Sequence, residues 1–221
     1  MKLLISGLVK FLCGILLVGL PIFLPAGSLA FQCGWLFMGL LFVPVFILGI
    51  VLFIKAPHLL ETRLNGKEKE ATQKGVVALS GLIFLGGFIV AGLDFRFGWS
   101  NMPTAVTVIA SVIFIISYGL YAEVMRENAY LSRTIEVQEN QKVVDTGLYA
   151  IVRHPMYAVT VLMFLAIPLI LGSWWAFLIF LPYPSIIAVR ILNEEKVLSE
   201  QLEGYEEYKK KVKHRLVPFL W

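Results

Sequence analysis

The chain has 221 residues, 58% of them hydrophobic and 15% charged, and a mean hydropathy of +0.80. A soluble domain of this length carries far more charge, so the composition excludes one and requires an integral membrane protein. The net charge of +4 follows from the lysine and arginine excess of membrane-flanking loops and their attraction to anionic headgroups, and calls for no nucleic-acid partner.

Uninterrupted apolar runs of about 20 residues, long enough to cross a hydrocarbon core of roughly 30 Å, occur at 3–24, 31–54, 75–93, 103–122, 155–171 and 174–189. Each must be helical, because hydrocarbon offers no water to open backbone groups. The expected fold class is therefore all-α, a polytopic bundle of about six transmembrane helices with an amphipathic C-terminal helix. Lys2, the first apolar run and the small residues Ala26, Ser28 and Ala30 imitate a secretory signal. The run is too long for a signal core and five more spans follow, so an uncleaved helix is expected. Pro21 and Pro44 mark kink sites in the first two spans. Cys13 and Cys33 lie in the same spans, away from any thiol or histidine at metal-ligand spacing, and read as free thiols packed like small apolar residues; no metal is expected.

Charge sorts the loops. Lys2 precedes the first span, residues 55–74 carry Lys55, Arg63, Lys67, Lys69 and Lys74, and residues 123–154 carry Arg126, Arg133, Lys142 and Arg153. The opposite loops hold Arg96 alone among basic residues. The positive-inside rule places both termini in the cytoplasm. Residues 1–122 thus read as a scaffold of four spans, and residues 123–221 as a catalytic region of cytoplasmic linker, helical hairpin and tail. In that tail, RILNEEKVLSEQLEGYEEYKKKVKHRLVPFLW, the residues Leu192, Val197, Leu198, Leu202, Tyr205, Tyr208 and Val212 recur at mostly helical spacing. They predict an amphipathic helix that lies on the membrane or folds back onto the bundle, with Gly204 as a break.

The stretch GLYAIVRHPMY, residues 147–157, has a generic explanation. Pro155 suits a first helical turn, Arg153 can anchor by snorkelling, and Tyr149 and Tyr157 can belong to an interfacial belt. Arg190 and Glu194, four apart, can pair on a helix, and Glu194 and Glu195 can be solvated. Convergence is what these roles leave unexplained. The last two spans are joined by Gly172 and Ser173 alone, so the His154 end of one and the Arg190 end of the other meet at one membrane face, where ionisable groups are expensive unless they serve a partner.

At these residues the chain resembles the isoprenylcysteine carboxyl methyltransferases and their prokaryotic relatives, integral membrane enzymes that use S-adenosylmethionine. The resemblance rests on GLYAIVRHPMY, a helical hairpin, RILNEEKVL and GYEEYKKKV, over residues 128–221; the first half matches only as hydrophobic spans. It implies that Gln141, Lys142, Val143, Val144, Gly147, Tyr149, His154, Pro155, Met156 and Tyr157 hold the cofactor, with Glu136 a further contact and Glu194 closing the pocket. Arg190 matches the arginine that binds the substrate carboxylate, and Arg190, Glu194 and Glu195 form the implied catalytic set.

The implied roles agree with the chemistry. S-adenosylmethionine presents a sulfonium, an ammonium, a carboxylate and an adenine, so its site needs anionic, donor and flat apolar surfaces together. Methyl transfer is an in-line displacement that depends on holding nucleophile and methyl in contact. The expected acceptor is an amphiphilic, lipid-like molecule reached from the bilayer, a carboxylate being favoured; an amine acceptor would shift interest from Arg190 to Glu195. Two other classes compete. Sterol-type NADPH-dependent reductases also carry Arg-His near a span start and a closing segment like YKKKVKHRLVPFLW, although RHPMY followed by Arg-x-x-x-Glu-Glu is closer to the methyltransferases. A nonenzymatic scaffold or small transporter would tolerate alanine at His154, Arg190 and Glu194.

Overall fold

A computed structural model describes residues 2–65, 71–128, 130–131 and 137–221, and every regular element among them is helical. Helices α1 (Lys2–Ala26) and α2 (Gln32–Lys55) are followed by the short α3 (Pro57–Asn65), then by α4 (Ala71–Phe97) and α5 (Thr104–Glu127). A linker and one 3-10 turn, Gly147–Ala150, lead to α6 (Pro155–Ile170), α7 (Trp174–Phe180), α8 (Tyr183–Gln201) and α9 (Tyr205–Lys211). Among the described residues, α1, α2, α4, α5 and the α7–α8 stretch are long and apolar enough to cross a membrane, and α6 is a shorter apolar helix.

The last span departs from the single rod expected over 174–189. Pro182 caps α8 and Pro184 lies in its first turn; proline lacks an N–H and clashes with the preceding turn, so the rod divides into α7 and α8 around Leu181 and Pro182. Beyond the apolar part α8 runs on to Gln201, so Arg190, Glu194 and Glu195 belong to the same helix as the span. The tail folds back onto the bundle. Gly204, at φ 81°, makes the break before α9 in a left-handed conformation that glycine adopts without steric cost.

Packing follows membrane rules. Leu17, Leu24, Ile54 and Leu82 point outward, where lipid tails solvate them as well as a protein core would. The buried centre is aromatic. Phe37 of α2 lies 5.8 Å from Phe88 of α4 and 6.1 Å from Phe114 of α5, ring centre to ring centre. Phe84 of α4 meets Phe164 of α6 and Phe180 of α7 edge-on.

The hairpin that carries the site is fixed at one end by a polar latch. At its turn, Ser173 Oγ accepts from the Ala176 N–H at 3.0 Å and donates to the buried carboxylate of Asp94, which also takes the Ser100 N–H at 2.7 Å and hydroxyl at 2.6 Å. This latch ties the end of α4 to the α6–α7 turn. Elsewhere α1 and α4 approach so closely at Gly92 that an added Cβ would run into the Ile22 carbonyl oxygen, the small-residue contact on which helix pairs in lipid depend. Gly92→Ala is expected to lower stability by about 1–3 kcal/mol, the cost of overpacking. Gly81→Ala on the same helix, where nothing lies within 4 Å, should leave the thermal midpoint in detergent unchanged or higher.

Candidate active site

The site begins where α5 ends. The Glu127 carboxylate accepts the Leu148 N–H at 2.9 Å and lies so close to Gly147, at φ 54°, that a Cβ there would collide with it. This presents Tyr149 inward: its carbonyl accepts the Tyr208 hydroxyl at 2.7 Å, and its own hydroxyl accepts from Asn128 Nδ2 at 3.1 Å. Glycine is thus required for the approach of two elements.

The RHP segment is the junction of the region. The backbone N–H groups of Arg153 and His154 donate to the carbonyls of His214 and Arg215, both at 2.9 Å. The Arg153 guanidinium donates from Nε to Glu195 Oε1 at 2.7 Å and from Nη1 to the carbonyls of Val212 and Lys213 at 2.7 and 3.0 Å. Arg215 Nε donates to Glu195 Oε2 at 2.8 Å, and His154 Nε2 lies 3.3 Å from Oε1. A carboxylate only accepts, so Nε2 is the donor there. The snorkelling role available to Arg153 is therefore not the one it takes: the residue is 7% exposed and bolts the tail to the start of α6 and to α8.

Of the residues expected at the site, Gln141, Lys142, Val143, Val144, Tyr149, His154, Met156, Tyr157, Arg190 and Glu194 line one cavity. Gly147, Pro155 and Glu195 do not. Gly147 makes the turn, Pro155 opens α6, and Glu195 is buried in the Arg153 cluster behind the wall. Glu136 lies outside the described residues.

The cavity also recruits residues that sequence reasoning did not select, among them Asn128, Arg153, Leu198, Leu202, Tyr205 and Tyr208. The four from the tail carried a signal, the amphipathic stripe, but a stripe facing a cavity has the same spacing as one facing a core. Leu202, Tyr205, Tyr208 and Val212 form a small apolar cluster with Val137, Val143 and Leu198. Burial pushes the hydroxyls of Tyr205 and Tyr208 well above the usual phenol range, so both are neutral groups.

Tyr157 occupies the centre. Its hydroxyl donates to Glu194 Oε2 at 2.6 Å and accepts from Arg190 Nε at 2.8 Å, while the Arg190 guanidinium sits 5.9 Å from its ring centre. One phenol thus joins the residues implied to meet cofactor and substrate. The cavity also fits the donor chemically. Glu194 offers negative charge, Val143, Leu198 and Leu202 an apolar wall, and the Tyr205 hydroxyl is buried without a hydrogen-bond partner among the described residues.

Arg153→Leu is expected to leave Glu195 short of a partner and the buried Val212 carbonyl and part-buried Lys213 carbonyl without their guanidinium donor, at a cost of about 3–5 kcal/mol. The expected readouts are a lower thermal midpoint in detergent and faster amide exchange across residues 212–215, while amides in α4 stay protected. Arg153→Lys should be intermediate, because an ammonium cannot hold carboxylate and carbonyls in one planar fork.

No curated protein matches the chain. Residues 101–204 match the phospholipid methyltransferase family model, a segment that runs from just before α5 through the linker and hairpin to the end of α8. Over that segment, a little under half of the chain, the protein is similar to this family of membrane methyltransferases, the one that includes the isoprenylcysteine carboxyl methyltransferases.

Proposed function

We propose that this protein transfers a methyl group from S-adenosylmethionine to an amphiphilic, lipid-like acceptor, with an isoprenylcysteine-like carboxylate favoured and the cavity facing the cytoplasm. The observation that carries this reading is the Tyr157 hydroxyl held between Arg190 and Glu194 in one cavity wall. Bound there, the cofactor supplies a methyl group on a cationic sulfonium. Glu194 faces the cationic part and is kept in place by Tyr157. Arg190, at the lip of the span, orients the acceptor carboxylate, which is already a nucleophile and needs no general base. The remaining work is to hold the reactants in contact and to limit water at the mouth. Glu195 acts at one remove, as a positioning residue that keeps α8 and the RHP segment together. In this reading residues 1–122 are the scaffold and residues 123–221 the catalytic region.

A lipid amine is the second reading, suggested by the phospholipids in the family's description. The geometry favours the carboxylate. Glu195, to which an amine acceptor would look, is turned away and satisfied by two guanidinium groups, and Glu194 is the cavity's carboxylate among the described residues.

Purified protein is expected to bind S-adenosylhomocysteine, measured by calorimetric titration, and not NADPH; the reverse would establish a reductase. Glu194→Gln should weaken that binding by about tenfold or more, the worth of a hydrogen bond to a charged group. Arg190→Ala should spare binding and abolish turnover. Lipid extracts incubated with methyl-labelled cofactor and analysed by mass spectrometry would identify the acceptor, and label on an amine lipid would select the second reading.

A further inference from the structure

Tyr205 is 4% exposed, and its Oη is the buried side-chain polar atom that finds no hydrogen-bond partner among the described residues. Leaving such a group unpaired costs about 1–3 kcal/mol, so unpaired groups in folded proteins call for an explanation. Tyr205 follows the left-handed Gly204 at the start of α9 and lines the same cavity as Glu194, Arg153, Tyr157 and Arg190.

Its surroundings narrow what it awaits. A hydroxyl both donates and accepts. Charged side chains of both signs line the cavity with it, the carboxylate of Glu194 and the cationic groups of Arg153, Arg190 and Lys142. A wall of mixed sign is complementary to a zwitterion, an ammonium and a carboxylate side by side. The adenine has a better place against Val143, Leu198 and Leu202, which pack in the same cluster as Tyr205.

Resting on the methyltransferase reading, we infer that the Tyr205 hydroxyl binds the amino-acid end of the methyl donor and thereby makes the tail helix α9 part of the cofactor site. The residue lies just beyond the segment 101–204 that matches the family model.

The test is Tyr205→Phe, which keeps the ring against Tyr208, 5.8 Å away, and removes only the hydroxyl. Two ligands are titrated into parent and variant by calorimetry: S-adenosylhomocysteine, and methylthioadenosine, which shares the nucleoside and lacks the amino-acid end. The variant is expected to lose about tenfold or more in affinity for the first and nothing for the second. Without ligand, its thermal midpoint should equal or exceed the parent's, because an unsatisfied buried group has gone. Unchanged affinity for S-adenosylhomocysteine overturns the assignment. Equal losses for both ligands overturn it too, by moving the contact to the nucleoside. A fall in the unliganded midpoint overturns it by showing a structural role. If the parent binds neither ligand, the methyltransferase reading itself fails, and this assignment with it.

Discussion

The site depends on one buried carboxylate. Glu195 collects the Nε donors of Arg153 and Arg215 on its two oxygens, with His154 alongside, and those partners come from the start of α6 and from the tail. A lone carboxylate buried at this depth would be prohibitively costly, so α8 can take its place only when both other elements have taken theirs. The arrangement is directional as well as strong. Arg153 sends Nε to the carboxylate and Nη1 to two tail carbonyls, a division that the planar guanidinium makes and a lysine cannot. Buried ion pairs are weak evidence of net stability. Their contribution here is specificity, because shifting α8 by one residue would bring to the cluster either Lys196, a cation among guanidinium groups, or Glu194, which would then leave the cavity.

The opposite end of the hairpin is held just as firmly. Asp94 binds Ser173 at the α6–α7 turn and Ser100 beyond α4, and in an apolar medium such polar contacts have few alternatives. The hairpin is thus anchored at both ends, with α5 packed along α6 between them. The helix α5 also crosses the boundary between the proposed scaffold and catalytic regions, and its Glu127 shapes the turn at Gly147. The two regions share a helix and a packed face, so the cavity is built on the scaffold and does not hang from a linker.

Composition alone made the all-helical membrane architecture legible, since apolar runs of spanning length have one solution in lipid. The convergence of the two hairpin tips was legible too, because two residues between helices leave no other geometry. What spacing could not tell was direction. Glu194 and Glu195 read as a carboxylate pair, yet consecutive helical residues point about 100° apart, so one enters the cavity and the other turns to the tail. Which does which depends on Arg153, whose partners lie far along the chain. The division of the last span at Pro182 was visible in principle, but its apolar content read as continuous.

Glu194 and Glu195 therefore do different work from adjacent positions, and each needs the other's partner set kept apart from its own. Arg190 and Tyr157 serve Glu194; Arg153 and Arg215 serve Glu195. His154 and Tyr157 stand side by side at the start of α6, ring centres 5.8 Å apart, with His154 turned to the structural carboxylate and Tyr157 to the one in the cavity. Proline at position 155 is what places them so. It starts the helix between the two residues, leaving His154 at the cap in a non-helical conformation while Tyr157 already follows the helical direction. A different residue at the first turn would relax that constraint, and the two sets of charges would lose the backbone geometry that separates them.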